Sequence, residues 1–173
     1  MRIRALSFHQ PWASLMAWGE KKIETRGWKL PAAVELPCLL AVHAASRWNL
    51  EMAVTCHRWP FLTALEERGL VLPGAPARPE GLPFGAVLAV VRLVECVGTA
   101  SLGLEGLPCL TWKYLEKLPR ERHFGDYAPG RYAWACDRVY ALTAPAACRG
   151  RQGLFWWEVP AEYEGAVAAL LAG

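Results

Sequence analysis

Gly19, Lys21, Glu24 and Arg26 fall within eight positions, in the stretch GEKKIETR. Side chains two apart on an extended segment share a face, so Glu24 and Arg26 become neighbours. A carboxylate beside a guanidinium holds the Arg fork in place for a phosphate or a base edge. Alternation puts Lys21 with Ile23 and Thr25 on the other face, but a bend after Gly19 lets it reach the same cleft. If the chain is an enzyme, Lys21 and Glu24 are the catalytic candidates, as activated amine and general base. The plain alternative is a surface ion pair.

Other groups could join this cluster. Gln10 and Trp12 flank Pro11 and offer an amide and a flat ring, and Trp28 borders the cluster on its far side. A base stacked on such a ring is worth about 1 to 3 kcal/mol. Trp18, Trp59, Trp112 and Trp157 are assigned to packing. His43 titrates near neutrality and ends an apolar run; the structural reading of such a histidine is the commoner one. Ser46 and Arg47, just after it, could add polar atoms to the cleft. Arg149, Arg151 and Gln152 surround Gly150 and Gly153, a turn where backbone amides could approach a phosphate, or an ordinary tight turn. Asp126, Tyr127 and Arg131 around Pro129-Gly130 read as structural supports of a turn.

These residues need elements to position them. The first 30 residues read strand, helix, strand: Ile3 to Phe8 extended, a short helix from Pro11 to Trp18 ended by Gly19, then an extended segment led by Ile23 and Thr25. Cys38 to Ala44 is a third strand. Asn49 is a helix N-cap, with one helix up to the break at Pro60 and a second piece to Arg68, stopped by Gly69. Four prolines between positions 73 and 83 mark a surface loop. Gly85 to Val97 is the clearest strand, apolar on both faces as in a closed barrel with helices outside. Trp112 to Leu118 reads as a helix, Arg131 to Leu142 and Leu154 to Val159 as strands, and Ala161 to Leu171 as a terminal helix.

Composition sets the class. The 173 residues, 54% hydrophobic, suit one domain with a well-filled core. No apolar run is long enough to cross a bilayer, and MRIRALSFHQPW lacks the apolar region of a signal peptide; a cytoplasmic protein without membrane attachment is expected. The six cysteines have no close pairing, so they read as small hydrophobes rather than a disulfide or metal set, and neither a metal nor a cofactor is expected. Residues 1–29 carry six Lys and Arg against two Glu, and residues 113–151 eight against four acids, each +4. Should they meet, they form one basic face suited to nucleic acid.

The segment LSFHQPWASLMAWGEKKIETRGW resembles the opening of the activating-signal-cointegrator homology (ASCH) domain: a strand, a QPW-like turn, a short helix, then Gly-x-Lys-x-x-Glu-x-Arg, matched at Gly19, Lys21, Glu24 and Arg26. AVHAASRW, FGAVLAVVRLV, FGDYAPGRYAWACDRV and CRGRQGLFWWEV look like later strands and turns of bacterial members. Residues 49–81, helical and Pro-rich, are the least family-like part and read as an insertion in a single domain spanning 1–173. The resemblance implies an α+β fold, a PUA-like small β-barrel flanked by short helices, with the motif lining a cleft that binds RNA or single-stranded DNA. Fold alone does not set function. The alternative it carries is a hydrolase acting on a modified nucleoside or on RNA. In the acylcytidine amidohydrolases of the family the motif Lys works with a Thr three residues later and an acid on a later strand. Here Glu24 stands where that Thr would be, and Glu95 is the nearest acid to the strand Ala86 to Leu93. A protein-interaction module has only apolar surface and the insertion in its favour. Oligomeric state is open at this stage.

Overall fold

The computed structural model describes residues 1–102 and 109–172. Its strands are β1 (Arg2–Phe8), β2 (Ile23–Arg26), β3 (Cys38–Ala44), β4 (Ala86–Gly98), β5 (Tyr132–Ala147) and β6 (Leu154–Glu158). Its helices are α1 (Trp12–Ala17), α2 (Leu50–Cys56), α3 (Phe61–Glu66), α4 (Leu110–Lys117), α5 (Glu121–Phe124) and α6 (Ala161–Ala169). The six strands form one mixed sheet in the order β2-β5-β4-β3-β1-β6, with β1 and β3 parallel and the other neighbours antiparallel.

The architecture is the expected α+β one, with short helices around a curled sheet. Among the described residues it is a half-barrel with β2 and β6 as its edges, in keeping with the small barrel read from the sequence. The curl has a local cause. Register slips between Val87 and Ala89 and on both sides of Leu93 put irregularities into the long β4/β5 pair, and bulges bend and twist a ladder. Residues Trp28 to Val34, after β2, then approach Gly153, Leu154 and Arg4 around a pocket of about 270 Å³.

Both sheet faces are covered, which explains strands apolar on both sides. Leu6, Phe8, Leu40, Val42, Val91 and Trp134 pack on one face with Ala13 and Met16 of α1. Ile3, Ala5, Leu39, Ala41, Val90, Phe155 and Trp157 pack on the other with Tyr163 and Val167 of α6. The alternation Ala5/Leu6 and Leu40/Ala41 between these two sets is the period of two that strands impose.

Asn49 caps α2 as its type predicts, accepting from the Met52 amide at 3.0 Å. The sequence reading did not include α5, which is only four residues long. All six cysteines are free. Burial pushes the Cys38 thiol up to about 11 and the Cys56 thiol up to about 12, so both behave as the apolar fillers expected of them. Cys109 has a further use, its Sγ accepting from the Trp112 amide at 3.3 Å to cap α4. Among the described residues no helix is long and apolar enough to cross a membrane, and no group of three metal-ligating side chains gathers.

Candidate nucleic-acid interface

The motif is positioned by the way α1 ends. Gly19 adopts φ +74°, and the amides of Glu20 and Lys21 both donate to the Leu15 carbonyl, at 3.0 and 3.1 Å. This left-handed stop folds the chain back, as glycine permits at little cost. Lys21 is thereby driven inward and is only 2% exposed. Its Nζ donates to the Ile23 carbonyl and, at 3.2 Å, to the Phe124 carbonyl, and lies 3.8 Å from Glu24 Oε2. An ammonium has three donors, and here all three face protein groups.

Glu24 and Arg26 share a strand face, as alternation requires. Arg26 Nε lies 2.8 Å from Glu24 Oε1, an ion-pair contact in which the N–H is not aimed at the carboxylate. Arg26 Nη2 donates to the Ser7 carbonyl at 2.9 Å, and its guanidinium sits 5.4 Å from the Phe8 ring centroid. Nη1 has no hydrogen-bond partner among the described residues.

β2 is an edge strand, and the 121–126 segment runs along its free side. Glu121, 0% exposed, accepts from the Lys22 amide at 2.7 Å and the Ile23 amide at 3.1 Å. Thr25 Oγ1 accepts from the Asp126 amide at 3.0 Å, and Arg131 Nη2 donates to the Thr25 carbonyl at 3.3 Å. The Phe124 carbonyl also accepts from Trp12 Nε1 at 2.8 Å, tying α1, Lys21 and α5 to one atom. Side chains have replaced the missing neighbouring strand, which blunts an edge that would otherwise pair with another chain. Burial pushes the Glu121 carboxyl above its ordinary value, against the pull of Lys21, the two amides and Lys22. Nothing in the sequence marked Glu121, because its role depends on a contact across 98 or 99 positions.

The result is a cleft of about 530 Å³. Its cations are Arg26, Arg58 and Arg131, its acids Glu24 and Asp126, and its rings include Trp12, Trp59 and Phe124. His9, Phe61 and His123 also line it. Arg26 and Arg131 bring the two basic segments together here, the condition the charge pattern left open, but a third contributor was missed. Thr55, Arg58, Trp59 and Phe61 come from α2, the start of α3 and the turn between them. The Arg58 guanidinium makes no ion pair or hydrogen bond to a described residue, its backbone alone being paired, with Thr55 and Leu62. Burial first, then Arg47 and Arg26, lowers the His9 pKa.

Several candidate residues lie elsewhere. Lys21 lies beneath the cleft and does not line it. Gln10 is 0% exposed and is consumed locally: its Nε2 donates to Ser14 Oγ at 2.9 Å and the Pro83 carbonyl at 2.7 Å, while Oε1 accepts from the Ser14 amide at 3.1 Å. Its long side chain stands in for the N-cap that Pro11 cannot supply. Trp28 packs edge-on against Trp134, centroids 4.7 Å apart, beside the 270 Å³ pocket. Ser46 and Arg47 are exposed but outside the cleft lining, and the Ser46 carbonyl accepts from Arg78 at 2.8 Å. Arg149 is exposed outside the cleft; Arg151 and Gln152 line a separate depression with Arg2 and Trp156. Glu95 accepts from Leu110 and Thr111 at the start of α4, and is likewise outside the cleft.

His43 is buried and takes the structural role. Its Nε2 donates to the Cys148 carbonyl at 2.9 Å, leaving Nδ1 to accept from the Ser7 hydroxyl at 3.1 Å. Burial lowers its pKa, in keeping with a neutral ring. A Cβ at Gly150 would strike this ring and lie 2.9 Å from Ser7 Oγ, so the glycine lets the 148–151 turn close over His43.

Fold and cleft together define an α+β protein with a half-barrel sheet whose strand ends carry a polar, ring-walled site. Among solved structures the chain is similar to the ASCH protein of Zymomonas mobilis, at 14% identity, covering 96% of this chain and 94% of that one with a TM-score of 0.47. A serine-to-alanine variant of that protein matches at 13% identity, with the same coverage and TM-score. A tyrosine-to-phenylalanine variant also matches at 13% identity, covering 96% of each chain with a TM-score of 0.47. At that score the likeness bears on neither ligand nor activity. No family model matches the chain, and no curated protein does.

Proposed function

We propose that the protein binds nucleic acid, taking an unpaired nucleotide of single-stranded RNA or DNA into the cleft. The observation that carries this reading is the pairing of Arg26 and Arg58, which keep unpartnered guanidinium nitrogens, with aromatic rings in one cleft of about 530 Å³. Guanidinium groups recognise phosphate and base edges, and rings stack on bases of any sequence. The volume is in the range of small-molecule sites and suits one nucleotide, not a duplex.

Hydrolysis is less well supported. Lys21 spends its donors on carbonyls and on Glu24, so no amine is presented to a ligand. Glu24 alone would have to act as base. The test is fluorescence anisotropy with a labelled single-stranded decanucleotide at low salt, using the parent and Arg26→Ala. Binding at micromolar strength or weaker, falling as salt rises and reduced in the variant, is the expected result. Absence of binding at low salt would remove the reading.

A further inference from the structure

Trp59 is 59% exposed, among the most exposed large apolar side chains of the described residues, and it lines the cleft. Its assignment to packing does not hold. Its ring meets His123 with centroids 4.6 Å apart and planes at 67°, so an edge contact anchors it while more than half of its surface stays open. Scattered exposed apolar residues are ordinary. This one is not scattered: Arg58 precedes it, Thr55 lies one turn earlier and Phe61 follows, and all of them line the same cleft.

The other groups of the cleft are already committed. Glu24 and Arg26 are locked to each other, and the rings of Trp12, Phe61 and Phe124 pack edge to face in sequence, at 5.4 and 5.1 Å. Their faces are partly taken up by one another. Trp59 is the ring left with area to offer.

We propose that Trp59 is the platform on which the unpaired base stacks, with Arg58 meeting the adjoining phosphate, so that the 49–81 insertion determines affinity for base-bearing ligands. The proposal rests on the nucleic-acid reading above and adds to it a division of labour. Arg26 and Arg58 read charge, and the Trp59 ring reads the base. A ligand with phosphates but no bases should then depend on Arg26 and Arg58 and be indifferent to Trp59.

The experiment compares binding of a single-stranded decanucleotide with a decamer of the same backbone carrying abasic sites throughout, for the parent, Trp59→Ala, Trp59→Phe and Arg26→Ala. The parent should bind the base-bearing strand more tightly. Trp59→Ala should weaken that strand by about five- to hundredfold and leave the abasic strand unchanged, while Trp59→Phe should retain most of the affinity. Phe keeps a stacking face, so its success also excludes misfolding as the cause. The proposal is overturned if Trp59→Ala binds both strands as the parent does, or if it weakens both equally. If Arg26→Ala still weakens binding in those cases, the nucleic-acid reading survives without the platform. If the parent binds neither strand, both fall. Displacement of the strand by an acidic peptide equally from parent and Trp59→Ala would also overturn it, since the site would then select charge alone.

Discussion

The two walls of the cleft are built on opposite principles. The motif wall is buried: Lys21, Glu24 and Arg26 are joined in ion pairs, backed by the Phe124 carbonyl and by Glu121, and little of it is free to move. The facing wall, Arg58 and Trp59 ahead of α3, is exposed, with the Trp59 ring set edge-on to His123 and the Arg58 guanidinium in no ion pair or hydrogen bond to a described residue. Polar groups already held in place spend no further ordering free energy on binding, whereas exposed ones must be ordered by the ligand. Polar residue types in a motif need not be contact residues. Lys21 is the example: its charge belongs to the wall's construction and its loss should be felt in stability before it is felt in affinity.

The largest effect expected follows from that. Lys21→Ala leaves the Glu24 carboxylate and two carbonyls without their ammonium, and removing one member of a buried pair costs about 3 to 5 kcal/mol. Urea denaturation checks it; a loss under 1 kcal/mol would mean that Lys21 is no part of the scaffold. Glu121→Gln should come next. Only one of its two side-chain atoms can then accept, so one of the Lys22 and Ile23 amides meets an NH2 group, at about 1 to 3 kcal/mol. This pair of proteins also carries a pH signature. The folded Glu121 carboxyl is raised above its ordinary value of 4.5, so the native state holds the proton over a window that starts near 4.5 and extends upward. Stability falls with rising pH wherever the native state binds more protons. Relative to Glu121→Gln, the parent should therefore lose stability as pH rises through that window, and parallel profiles would contradict the assignment.

Effects on binding are smaller. Arg26→Ala should weaken a single strand by about 1 to 3 kcal/mol, the range for a good bidentate contact. Arg58→Ala should act mainly on salt dependence, lowering the slope of log affinity against log salt by slightly under one unit, as for one phosphate contact. The smallest effect concerns His9, which faces the cleft with His123, Glu24 and Asp126. Its pKa is lowered from 6.5, so it gains charge only when pH falls below that value. Affinity for an anionic strand should rise on acidification below 6.5, and the part due to His9 is the difference from His9→Gln.

The sequence made legible what is local. The Gly19 stop, the Asn49 cap and the placement of Glu24 and Arg26 on one face all follow from contacts within a few residues. It also marked two basic segments, without saying whether they would meet. What it hid depends on distant packing. Gln10 looked available because an amide beside a Pro-Trp turn is usually exposed; its acceptor and donors are taken by Ser14 and Pro83 instead. Trp59 looked like core because it continues the helical spacing of α2, yet the chain breaks at Pro60 and leaves the ring outside. Arg151 and Gln152 share a basic composition with the cleft and lie in another depression. Periodicity places a side chain on a face of its own element, but it cannot say which other element covers that face.

Photocrosslinking is the most direct test of where the ligand sits. A single-stranded decanucleotide carrying one thio-substituted base, irradiated with the protein and mapped by peptide mass spectrometry, should label Trp59, His123 and their neighbours in the cleft. Labels confined to Arg2, Arg151 and Trp156, with none in the cleft, would contradict the account.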